Sequence, residues 1–345
     1  MASSSSSSLS AAMAVAANKN LYQVSSSTKP RLFCCISVNQ SPPITSLRLR
    51  TQAHGISKTF SDLNKKGKVA FTPYITAGDP DLSTTEKALK LLSSCGANII
   101  ELGLPHTNPF MDGSVIQASH KRALERKINL QAVISMLEKV VPQISCPIVI
   151  FSYHNLILSQ GYEQFLSALQ DGGAKGLIVP DLPFEQSAGL RREATKKGID
   201  MPLFITPTTT KEKMKTIADA SKGFLYLISS TGVTGARSAV NAQVEFLLKD
   251  IKEVTKIPVS VGFGISKPEH VEQLSSWGAD GVIVGSAIVK MLGEAKSEEE
   301  GLRNVDSYAK SLVAALPSGH HPVAVKECYP TANIFEGRRR ILQAK

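Results

Sequence analysis

Cys95-Gly96-Ala97-Asn98-Ile99-Ile100-Glu101-Leu102-Gly103-Leu104 joins the end of a helix-sized segment to a strand-sized apolar run. A glycine that can end a helix in the left-handed conformation, followed at once by a β-branched run, marks the passage from helix to strand. The same passage recurs at Gly172-Gly173-Ala174 and at Trp277-Gly278-Ala279. Working outward from these three places, candidate strands fall at 69–76, 98–104, 147–153, 176–182, 202–206, 224–229, 258–263 and 281–285. Helix-sized segments separate them at 81–95, 114–141 (long enough for two helices), 162–171, 184–197, 211–221 and 241–255, then 268–277, with a last one at 298–316. Continuous apolar strands alternating with helices imply a parallel sheet covered by helices, and eight strands are the number that closes a barrel. The expected fold is therefore α/β, a single-domain (β/α)8 TIM barrel over residues 58–316. The competing architecture, an open doubly wound sheet, normally carries G-x-G-x-x-G after its first strand. Here that turn reads Ala77-Gly78-Asp79-Pro80.

The 345 residues and 42% hydrophobic content suffice for one large core. Gly, Pro or a charge interrupts every apolar stretch well short of the roughly 18 residues of a membrane span, so no membrane partner is expected. The net charge of +10 is unevenly distributed. Residues 1–61 hold six basic residues and no acid, and 317–345 hold five basic against two acidic, which leaves 28 basic against 27 acidic for 62–316. A nearly neutral body argues against nucleic acid as a partner, because backbone binding needs Lys and Arg clustered on the folded domain. The Ser- and Ala-rich, acid-free start has the composition of a transit peptide, so 1–57 is expected to be a removable, disordered lead to the plastid stroma. The basic tail, 317–345, is expected to be disordered. Cys34 and Cys35 fall in the lead, while Cys95, Cys146 and Cys328 have no metal-ligand spacing and read as reduced. The histidines form no ligand set, and no metal is expected.

In a barrel the chemistry belongs to the loops after the strands. Glu101 lies inside an apolar run, where an ionised carboxylate costs several kcal/mol unless paired. It is either a structural carboxylate bonded to a neighbouring strand or a general acid whose pKa burial has raised. Asp112 precedes a Gly turn at a helix start, so it either caps that helix or accepts a hydrogen bond from a substrate N–H. Gly262-Phe263-Gly264 and Gly285-Ser286, after the last two strands, offer backbone N–H groups near helix N-termini, the usual phosphate cradle of such barrels. The small, polar segment 229–236 is either a plain loop or a mobile lid with glycine hinges.

Five stretches carry a resemblance to the tryptophan synthase α subunit and indole-3-glycerol-phosphate lyase family: FTPYITAGDP (71–80), IELGLP with the following Pro-x-x-Asp-Gly (100–113), VPDLPFEQS (179–187), STGVTG (230–235), and GFGIS with GVIVGSAIVK. The resemblance implies retro-aldol cleavage of indole-3-glycerol phosphate to indole and glyceraldehyde 3-phosphate, with no cofactor. It implies Glu101 as general acid/base and Asp112 as the group that engages the indole nitrogen. Tyr74, Ile116, Tyr153, Phe263 and Ile283 would line the indole pocket, Tyr226 would orient Glu101, and Thr234 would hold Asp112. Gly235, Gly264, Gly285 and Ser286 would bind the phosphate.

One loop departs from the family pattern. His106, Thr107, Asn108 and Ser114 stand where the family has an aromatic residue, Ser, Asp and Pro. Because that loop positions one carboxylate and meets the β subunit, weak coupling to a β subunit is expected. The alternatives are a stand-alone lyase that releases free indole, a catalytically weak barrel acting as a binding partner, and a phosphosugar isomerase on the same scaffold.

Overall fold

A computed structural model of the protein describes residues 54–229, 241–317 and 319. Its strands are β1 (Ala70–Thr76), β2 (Ile100–Gly103), β3 (Ile148–Phe151), β4 (Gly176–Ile178), β5 (Leu203–Ile205), β6 (Leu225–Ile228), β7 (Val259–Gly262) and β8 (Gly281–Val284). They form one sheet in the order β4-β3-β2-β1-β8-β7-β6-β5, every neighbouring pair parallel. All eight expected strands are present, each shorter than the apolar run that announces it. At β4 the reason is chemical: Pro180 and Pro183 lack the N–H that would extend the ladder toward Leu182.

The helices are α1 (Ile56–Asn64), α2 (Leu82–Ser94), α3 (Ser114–Glu125), α4 (Leu130–Val140), α5 (His154–Gln160), α6 (Tyr162–Asp171), α7 (Ala188–Lys196), α8 (Lys211–Ala220), α9 (Gln243–Val254), α10 (Pro268–Ser276), α11 (Ser286–Gly293) and α12 (Glu298–Ala314). Segment 114–141 is indeed two helices, and Asn129 Oδ1 caps the second by accepting from the Ala132 amide at 3.0 Å. The glycine exits behave as read, with φ of +102° at Gly96, +78° at Gly173 and +90° at Gly278. Sequence periodicity did not reveal α1, α5 and α11, which have 9, 7 and 8 residues. Two turns are too few to display an apolar stripe.

The period-2 alternation of strand side chains divides the apolar residues into two cores. Phe71 and Ile75 of β1, Ile100 and Leu102 of β2, Ile148 and Ile150 of β3, and Leu225 and Leu227 of β6 face the surrounding helices. Residues of opposite parity, Ala70, Tyr74, Ile99, Val149, Phe151, Phe224, Tyr226 and Ile283, fill the barrel. Glu101 has this second parity, so its carboxyl is inside. The register that opposes Tyr74 to Glu101 and Glu101 to Val149 places it in the middle of three adjacent strands.

Between β4 and β5 the sheet closes through a single bridge, Gly176 with Asp200, in which Leu177 N donates to Asp200 O at 2.9 Å and Asp200 N to Lys175 O at 3.0 Å. Helix α1 seals that seam from below. Ser57 donates to Asp200 Oδ2 through its amide and hydroxyl at 3.3 and 3.2 Å, and Phe60 packs on Phe224 with ring centroids 5.5 Å apart. Ile56 lies so close that a Cβ on Gly176 would fall 2.3 Å from its Cδ1, which is why the seam needs glycine.

Candidate active site

At the opposite, C-terminal mouth of the barrel lies a cavity. Glu101 from β2 and Asp112 from the loop before α3 both line it. Its apolar wall includes Tyr74 of β1, Ile116 of α3, Tyr226 of β6 and Ile283 of β8, with Phe263 beyond β7. Gly264, Gly285 and Ser286 lie on the same cavity. The structure therefore brings together ten of the thirteen residues singled out from the sequence. Tyr153 lies behind the wall and holds Asp112; Thr234 and Gly235 lie outside the described residues. Phe151 and Ile265 also line the cavity and were missed. Parity would have found Phe151, two positions on from Val149 on an inward-facing row.

The structure bears on both structural alternatives for the carboxylates. Glu101 is 1% exposed, and among the described residues its Oε2 has no hydrogen-bond partner, so no bond ties that oxygen to the next strand. Helix α3 starts at Gly113 with no side-chain cap, so Asp112 is not spent on capping. Asp112 instead accepts from the Tyr153 hydroxyl at 2.8 Å, and that hydroxyl accepts from the Met111 amide at 3.1 Å. Gln117 Nε2 donates to the Asp112 carbonyl at 2.7 Å, fixing the backbone on the other side.

Two tyrosines crowd Glu101, and glycines make room for both. A Cβ on Gly103 would lie 2.1 Å from the Tyr74 hydroxyl, and one on Gly262 2.5 Å from the Tyr226 hydroxyl. Tyr74 hydrogen-bonds Thr76 at 3.3 Å, and Tyr226 makes no hydrogen bond to Glu101 among the described residues. Tyr226 thus bounds the space around Glu101 by packing.

Burial is the main cause of the site's electrostatics. It pushes the Glu101 carboxyl up to about 8, and the neighbouring Asp112 charge adds to the effect. Asp112 rises to about 6 through burial, opposed by the donated Tyr153 bond. Near neutral pH one carboxyl keeps its proton while the other is ionised, the division of labour that acid–base chemistry needs. His120 of α3, 0% exposed and not foreseen, is held down to about 4 by burial and then by His106, and so is neutral.

The glycine-rich side of the mouth is shaped by strain and by a helix end. Phe263 takes φ +72° and Gly264 φ +82°, with the Phe263 carbonyl pinned by the Ser229 hydroxyl. A non-glycine residue held in the left-handed region stores energy at a site the surroundings fix. Gly285 precedes α11, and it and Ser286, the first residue of that helix, line the cavity, which puts a helix N-terminus at its edge.

Comparison with known proteins places the chain in a family. A sequence model described as tryptophan synthase alpha chain matches residues 60–316. The tryptophan synthase alpha chain of Arabidopsis thaliana is 55% identical over 79% of this chain and 99% of its own length. That of Trichodesmium erythraeum is 48% identical over 76% of this chain and 98% of its own. Among solved structures, Mycobacterium tuberculosis tryptophan synthase superposes with TM-score 0.69 at 30% identity, over 76% of this chain and 98% of that one. A chain of the Pyrococcus furiosus tryptophan synthase complex gives 0.65 at 35% identity, over 72% of this chain and 98% of that one.

The buried acid has a consequence for stability. Glu101 in the folded protein titrates near 8 against an ordinary value of 4.5, so the stability it contributes is fully present below about 4.5 and is lost as pH climbs through about 8. Glu101→Gln keeps the shape and never ionises. Its melting temperature relative to wild type is expected to rise from about pH 4.5 to about pH 8 and to level off above that. A pH-independent difference would show that Glu101 is not buried in its neutral form.

Proposed function

Because this chain belongs to the tryptophan synthase alpha chain family, we propose that Glu101 and Asp112 carry the family's cleavage of indole-3-glycerol phosphate. The protein is a carbon–carbon lyase of tryptophan biosynthesis. The observation that carries the residue assignment is a pair of carboxyls, one protonated and one ionised, in a single apolar cavity that also borders the start of α11.

The chemistry follows from where each proton sits. Protonated Glu101 donates to C3 of the indole ring, which turns the ring into a cation centred on N1. Ionised Asp112 accepts the N1–H bond and stabilises that charge, which exists only after protonation, so the interaction lowers the barrier rather than the ground state. Glu101, now a carboxylate, takes the proton of the glycerol hydroxyl next to C3. The C–C bond breaks, its electrons return to the ring, a carbonyl forms, and Glu101 recovers its starting proton. Indole and glyceraldehyde 3-phosphate leave. Tyr74, Ile116, Tyr153, Phe263 and Ile283 form or back the indole wall, while Gly285 and Ser286 at the start of α11 and Gly264 on the neighbouring loop hold the phosphate, with Gly235, outside the described residues, joining them by the family resemblance alone.

The loop that departs from the family pattern makes contacts within itself and to Tyr153, which supports weak coupling to a β subunit. The His106 ring stacks on Tyr153 at 4.7 Å and 16°, and the amide of exposed Asn108 donates to His106 Nδ1 at 3.1 Å. With the uncharged Asn108 where the family has Asp, a charge-assisted bond across such an interface is lost, worth about 1.5 to 3 kcal/mol, or roughly 10- to 150-fold in affinity. The acid-free lead supports delivery to the plastid stroma as a transit peptide whose removable part ends before α1 rather than at 57, because Ile56 and Ser57 seal the barrel seam, and a basic tail follows from 317.

Three outcomes are expected. Glu101→Gln and Asp112→Asn should each lower kcat at least about 10²-fold, and wild-type kcat/KM should rise as Asp112 ionises near about 6 and fall as Glu101 loses its proton near about 8; a flat profile, or turnover that survives either substitution, would sink the assignment. Titrating indole release against added β subunit should give little activation, and a large saturable rise at micromolar partner would refute weak coupling. Residues 1–57 fused to a fluorescent reporter should bring it into chloroplasts; a reporter left in the cytosol would overturn the transit reading.

A further inference from the structure

Behind Asp112 lies a second polar layer that the mechanism above does not use. His120 projects from the inner face of α3, one turn beyond Ile116, and is fully buried. Its Nδ1 accepts the backbone N–H of His106 at 3.0 Å, so that nitrogen carries no proton and, in the neutral ring, Nε2 does. Among the described residues this Nε2–H has no hydrogen-bond partner, and it lies 3.7 Å from Asp112 Oδ2, the oxygen that already accepts from Tyr153. The His120 ring packs edge-on against Tyr153 at 6.4 Å and 80°, while His106 covers the other side of Tyr153. A buried donor left without an acceptor costs free energy, and the nearest acceptor is about half an ångström beyond hydrogen-bond length.

We propose that His120 is a positioning residue for Asp112: kept in the Nε2–H form by the His106 amide, it closes onto Oδ2 when substrate occupies the cavity. The physical advantage lies in the donor being neutral. Asp112 must be ionised and must retain its charge for the cation that develops on the indole nitrogen. A charged donor at this position would hold the carboxylate ionised but cancel the field it exerts. Two neutral donors, Tyr153 and His120, favour the ionised form and leave the negative charge in place. Catalytic hydrogen bonds that are long before substrate binds commonly tighten in the complex. The other titratable groups around Asp112 are Glu101 on β2, Tyr74 on β1, Tyr226 on β6 and His106 in the loop, while Asp181 acts on Tyr153. None of them is placed to donate to Oδ2 in His120's stead.

The proposal rests on the assignment of Asp112 made above, so the experiment includes Asp112→Asn alongside His120→Leu and His120→Gln in the full chain. His120→Leu keeps bulk and removes the donor; His120→Gln returns an N–H close to the Nε2 position. For His120→Leu, kcat near pH 7 is expected to fall roughly 10-fold or more. The acid limb of its kcat profile should move to higher pH, because Asp112 without this donor ionises less readily, so activity recovers as pH rises. Inhibition by glycerol phosphate should be unchanged, since that grip is on the far wall, and this also confirms an intact fold. His120→Gln should restore most of the rate and return the limb. A loss in His120→Leu that is uniform across pH and not rescued by Gln would overturn the proposal, as would wild-type kcat with an unmoved limb. Should Asp112→Asn retain turnover, the reading of Asp112 itself fails; should it lose turnover while both His120 variants behave as wild type, only the role of His120 fails.

Discussion

Closure of the sheet is the constraint from which the rest of this protein follows. Eight parallel strands with apolar residues on both faces need cover everywhere, and a closed barrel supplies it by giving every strand two neighbours and an interior. In this chain the seam is narrow, one bridge between β4 and the residue ahead of β5, and α1 reinforces it through Ser57, Ile56 and Phe60. The side chains that plug the lower end are large and apolar. Above them the interior is shut off from water, so a carboxyl on an inward position sits in a medium that resists its charge.

That enclosure accounts for the chemistry at the mouth. Glu101 and Asp112 differ in their supporting bonds rather than in burial: 1% and 2% exposed, respectively. Asp112 receives a hydroxyl bond from Tyr153 and is held from two sides along its backbone, whereas Glu101 receives none at Oε2. Burial raises both, the Asp112 charge raises Glu101 further, and the Tyr153 bond holds Asp112 back, which together place their proton affinities on either side of neutral pH. Two groups of the same acid type can therefore act as acid and as fixed anion in the same turnover.

The mouth is also where the chain gives up local ease. Phe263 holds a left-handed backbone under the grip of Ser229, and Gly103 and Gly262 exist as hydrogen because tyrosine hydroxyls occupy the space a methyl would need. Such features lower no folding energy on their own, and the packed layers between strands and helices offset them. A rigid scaffold carrying a strained rim suits a site that must hold reacting atoms in one geometry.

The sequence alone carried the barrel, because glycine exits, β-branched runs and strict alternation are local signals that need only a few neighbouring residues to read. It also placed Glu101 inside and pointed to Asp112 and the glycine loops after the last two strands, since each lies at a strand end whatever the rest of the chain does. What it did not carry was the surroundings of those groups. His120 lies 14 residues from the His106 amide it accepts from, and Tyr153 lies 41 residues from the carboxylate it serves, so no pattern along the chain joins them. Whether Asp112 would cap its helix or face the cavity was open until Tyr153 was seen to claim its oxygen. The separation of the two proton affinities was likewise out of reach, because desolvation belongs to the closed barrel and to no residue within it.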